Sequence, residues 1–94
     1  MMGEEKKVFE KALNRFGIRA QIEMVVEEMS KLQKELCESL YGRDVVMNIA
    51  EGIADVEIML DQMKLHFGLE DHVTNNRKVK VSRLAERLEQ EENK

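Results

Sequence analysis

Twice between residues 22 and 67, apolar residues recur at intervals of three and four, the spacing that keeps one face of an α-helix against a neighbour. The first run is Ile22, Val25, Met29, Leu32 and Leu36, and the second is Val46, Ile49, Ile53, Val56, Leu60, Met63 and Phe67. They predict helices over about 18–41 and 45–67, the second capped by Asp44 and stopped by Gly68. Only Tyr41, Gly42, Arg43 and Asp44 lie between them, and so short a link makes the helices antiparallel neighbours. The expected centre of the fold is a helical hairpin with both runs, Ile53 included, buried in one seam.

Val8, Phe9, Ala12, Leu13 and Phe16 predict a shorter helix before Gly17, and Val73, Val81, Leu84 and Leu88 predict another that begins between 70 and 77 and frays from about residue 89. The chain has no Pro and only five Gly, with 43% hydrophobic and 36% charged residues, which suits helices better than a turn-rich β fold or disorder. With 94 residues there is room for one domain over 1–94, an all-α fold of four-helix-bundle type. Its apolar faces are too wide for one small chain to cover, so a homodimer or homotetramer is expected.

Charges interrupt every apolar stretch before it reaches the roughly 20 residues of a membrane span. The opening Met-Met-Gly-Glu-Glu-Lys-Lys does not read as a signal peptide, so the expected location is the cytoplasm. A net charge of −4 disfavours a nucleic-acid polymer as partner, although Arg77, Lys78, Lys80, Arg83 and Arg87 form a local basic strip. Cys37 has no His beside it to activate it and reads as a small packed hydrophobe. His66 and His72, six apart, do not share a helical face, and neither is assigned a role. Met24, Met29, Met47, Met59 and Met63 read as core or interface filling.

In the heptad letters of the two runs, Glu28 and Glu35 take g, Lys31 and Asp55 take c, and Gly52 takes g. Folding the hairpin sets at one level residues whose numbers add to about 85, so one flank collects Glu28, Lys31, Glu35, Glu51 and Asp55. Lys31 is expected to pair with Asp55 and Glu28. Clustered carboxylates stand either in water or around a hard cation such as Mg²⁺.

The stretch IEMVVEEMSKLQKEL at 22–36, followed by NIAEGIADVEIMLDQM at 48–63, resembles the MazG-type all-α nucleoside triphosphate pyrophosphohydrolases. The similarity spans roughly residues 18 to 90 and includes Lys80-Val-Ser-Arg83 in the last helix. It implies Mg²⁺-dependent hydrolysis of a nucleoside triphosphate to a monophosphate and pyrophosphate. The family's metal ligands sit in Glu-Glu-x-x-Glu and Glu-Glu-x-x-Asp patterns, which here read Glu27-Glu28-Met29-Ser30-Lys31 and Glu51-Gly52-Ile53-Ala54-Asp55. Glu28 and Asp55 match, whereas Lys31 and Gly52 replace carboxylates. The resemblance therefore implies a metal held by Glu28, Asp55 and a borrowed Glu35, a water oriented by Glu27 or Glu51, and phosphates held by Lys80 and Arg83. An alternative is a catalytically silent helical oligomer that binds a nucleotide or a protein, with Lys31 standing where the metal would be.

Overall fold

A computed structural model describes residues 2–93, and all of its regular structure is helical. The helices are α1 (Gly3–Phe16), α2 (Ile18–Leu40), α3 (Val46–Phe67) and α4 (Glu70–Glu92). Gly17, at φ 86°, is the single residue between α1 and α2, and its N–H still bonds the Leu13 carbonyl at 3.0 Å. Residues 41–45 turn the chain from α2 to α3 through Gly42 at φ 82°, a value that a side chain would strain. Gly68 ends α3 in the left-handed conformation at φ 64°, the C-terminal stop expected of it.

Two local expectations change. The residue before α3 is Val45, and no side chain, that of Asp44 included, caps the helix. The C-terminal segment stays helical to Glu92, beyond the point where fraying is expected.

The hairpin register is the expected one: Gln21 meets Gln62, Glu35 meets Asn48, and Leu32 lies against Gly52. Its rotation differs. Along α2 the sheltered stripe runs Gln21, Val25, Glu28, Leu32 and Glu35, and along α3 it runs Ile49, Gly52, Val56 and Met59. Ile22, Met29 and Leu36 on α2 and Ile53 and Leu60 on α3 turn outward, with Ile53 at 45% exposure. A Cβ on Gly52 would sit 3.1 Å from Leu32 Cδ1 and 3.7 Å from Leu32 Cα, so this is where the two backbones come close. The helices are rotated so that the residue without a side chain lies at the contact, and more than half of each apolar run is left outside it.

α1 packs on both α2 and α3 and buries Phe9, and α3 buries Met59. Gln21 Nε2 donates to Gln62 Oε1 at 2.7 Å, and Gln62 Nε2 donates to Met59 Sδ at 3.8 Å, so the buried amides have partners. Met59 is the one methionine among the five that is buried; Met24, Met29 and Met47 are exposed, as is Cys37. α4 touches α3 alone, near the turn that joins them, and buries no residue. Among the described residues no helix is long and apolar enough to cross a membrane.

Candidate functional site

Rotating the hairpin onto its g and d edges moves charged residues into the groove between α2 and α3. There Glu28, Lys31, Glu35, Asn48, Glu51, Gly52 and Asp55 line one open depression of about 290 Å³. Six of them are residues that the sequence singles out. The seventh, Asn48, donates from Nδ2 to Glu35 Oε2 at 3.4 Å across the hairpin. Its position level with Glu35 is the signal that finds it.

Gly52 shapes this depression as well as the helix contact. A side chain there would start against Leu32, so this position in the lining carries neither charge nor bulk. Glu28 is the most sheltered carboxylate of the site for which an ion pair is formed, its side chain 14% exposed.

Lys31 Nζ lies 3.5 Å from Glu28 Oε1 and 3.6 Å from Glu27 Oε1. The pairing with Glu28 is as expected, but the second partner is Glu27 and not Asp55. Both partners are about one turn away on the same helix, where a lysine reaches without spanning the groove. The charge of Glu28, then that of Glu27, raises the Lys31 pKa above 10.5. A raised lysine pKa means that the pairs favour the folded chain below the ordinary lysine value and lose that effect only as pH climbs through the raised one. Lys31 is thus an ammonium throughout the neutral range.

The remaining expected residues stand apart. Glu27 touches Lys31 but does not line the depression, and Lys80 and Arg83 lie on α4, which does not reach α2. Carboxylates are the right donors for Mg²⁺, yet among the described residues no three His, Cys, Asp or Glu side chains converge tightly enough to hold a metal ion. As they stand, not converging and with Glu28 paired to the Lys31 ammonium, Glu28, Glu35 and Asp55 do not fit Mg²⁺.

Compared with family profiles, curated protein sequences and solved structures, the chain matches none.

Proposed function

We propose that this chain is a MazG-like helical protein for nucleoside triphosphates in which the hydrolytic site has been altered, so that it binds its nucleotide with little or no turnover. The observation that carries this reading is Lys31, held by Glu28 and Glu27 inside the carboxylate flank. An ammonium there neutralises charge that the resemblance gives to Mg²⁺ and repels a divalent ion. The expected partners are a nucleoside triphosphate, with Lys80 and Arg83 for its phosphates, and further copies of the chain in a homodimer or homotetramer with a closed helical bundle. A membrane and a nucleic-acid polymer are not among them, and the cytoplasm is the proposed location.

A second reading is a working pyrophosphohydrolase, favoured by the four carboxylates Glu28, Glu35, Glu51 and Asp55 around one depression. Lys31 is 61% exposed and has solvent to swing into, after which Glu28, Asp55 and Glu35 would be the residues to hold Mg²⁺. Glu51 or Glu27 would then orient the attacking water.

One assay separates them: the full chain and its Lys31→Glu/Gly52→Glu variant, with a panel of nucleoside and deoxynucleoside triphosphates, with and without Mg²⁺. The double substitution turns one net negative charge at positions 28, 31, 52 and 55 into four. Nucleotide binding by calorimetry with pyrophosphate release only from the variant is the expected result. Brisk Mg²⁺-dependent release from the parent chain would overturn the silent reading in favour of the enzyme. A failure of both proteins to bind or cleave would remove both readings.

A further inference from the structure

α3 and α4 diverge from their common turn, and α3 is the one helix that α4 touches. Between them lies an open cleft of about 570 Å³, walled on the α3 side by Glu57, Leu60 and Asp61 and on the α4 side by Val73 and Arg77. These residues fix which sides of the two helices look at each other. Seven residues further from the junction, two turns on, the same side of α3 carries Ala50 and Ile53, and that of α4 carries Leu84 with Val81 and Leu88 beside it. All five are exposed.

The two sides match in register and in charge. With α4 laid antiparallel along α3, residues whose numbers add to about 137 fall at one level, as the junction between Phe67 and Glu70 requires. Leu84 then meets Ile53, Leu88 meets Ala50, whose small side chain leaves it room, and Arg77 falls between Glu57 and Asp61. Asp61 is already held by Lys64 at 2.9 Å, whereas among the described residues neither Glu57 nor Arg77 forms an ion pair. Each is the counter-charge that the other lacks.

We infer that α4 is a hinged strap that closes onto α3 of its own chain, seating Leu84 on Ile53, Leu88 on Ala50 and Arg77 between Glu57 and Asp61. The hinge is Gly68 and Leu69, the two residues between the helices, and Gly68, at φ 64°, has no side chain to resist a change of dihedral. So short a junction also decides for the same chain over a second copy, because it holds the two sides at an effective concentration on the order of millimolar. Closure goes beyond nucleotide binding and does not depend on it: Glu51 and Asp55 lie on another side of α3 from Glu57, so the carboxylate depression stays open.

The test is disulfide trapping in the full chain carrying Cys37→Ser, with Ala50→Cys/Leu88→Cys compared against Ala50→Cys/Glu86→Cys. Both pairs lie near one level, but Glu86 is on the far side of α4. Because the bond needs Cα atoms within about 7 Å, closure should form an intrachain disulfide in the first pair at least about ten-fold faster than in the second. Arg77→Glu should slow that trapping several-fold, and Arg77→Glu/Glu57→Arg should restore it. Equal rates for the two pairs, or no intrachain bond, would overturn the strap. Bonds between differently tagged chains in place of the intrachain bond would overturn it in favour of a second copy in the cleft, and trapping unmoved by Arg77→Glu would overturn the charge contact. If circular dichroism shows that the Ala50→Cys chains lose their helices, Ile53→Cys/Leu84→Cys gives the same reading.

Discussion

The two ends of the α2–α3 hairpin share one register and one heptad spacing, yet they differ in what lies between the helices. At the end nearest α1, Phe9, Met59 and the bonded pair Gln21–Gln62 are buried. Toward the turn, where the depression opens beside Gly52, the corresponding positions are Glu28, Glu35, Asn48 and Glu51. A third helix makes the difference. Where α1 covers the groove, polar groups are neutral and satisfied within the protein; in the depression, charges keep contact with water and need no complete set of partners.

The largest blow to this contrast is Phe9→Ala. Emptying the side chain that α1 inserts should cost about 3 kcal/mol or more in urea unfolding. A cost under about 1 kcal/mol would mean that the α1 end is no more a core than the other. Next comes Gln62→Leu, which leaves the Gln21 amide buried without its acceptor and should cost about 1 to 3 kcal/mol. The double variant Gln21→Leu/Gln62→Leu should recover most of that loss, because both polar groups are gone; if it is as damaging as the sum of the single changes, the two amides do not act as a pair.

The smallest expected effect lies at the depression. Gly52→Ala gains about 1 kcal/mol of helix propensity but presses a Cβ against Leu32, whose δ-methyl can yield by a few tenths of an ångström. The net change in the unfolding midpoint should fall below the full propensity gain. Recovery of the whole gain would show that α2 and α3 are not held close there.

Much of this was legible in the residues and some was not. The three-four spacing gave both long helices, and the brevity of the turn gave their antiparallel register; Gly68 gave the stop. The rotation of the pair was hidden, because Ile22, Val25, Val26 and Met29 make α2 apolar over more than one side, and spacing does not say which side the partner takes. Gly52 carries that information, but in the resemblance it stands where a carboxylate is expected, which points to charge and not to backbone approach. The burial of Gln21 and Gln62 was hidden for a related reason: each looks like a surface residue until the other is opposite. Lys31 belongs to the acidic flank as its position predicts; its choice of Glu27 over Asp55 follows from reach along its own helix, a preference that a level-by-level pairing across the hairpin does not capture.

α4 meets the rest of the chain only near its own beginning and buries nothing. While α4 stands open, its amide hydrogens beyond that point can exchange with solvent by opening of the helix itself, without any disturbance of the hairpin. Its exchange rates would then report the strength of a single helix in water, whereas those of α2 and α3 near Gln21 and Gln62 would follow the opening of the packed region. The molecule thus consists of two units of unequal durability, joined at Gly68 and Leu69.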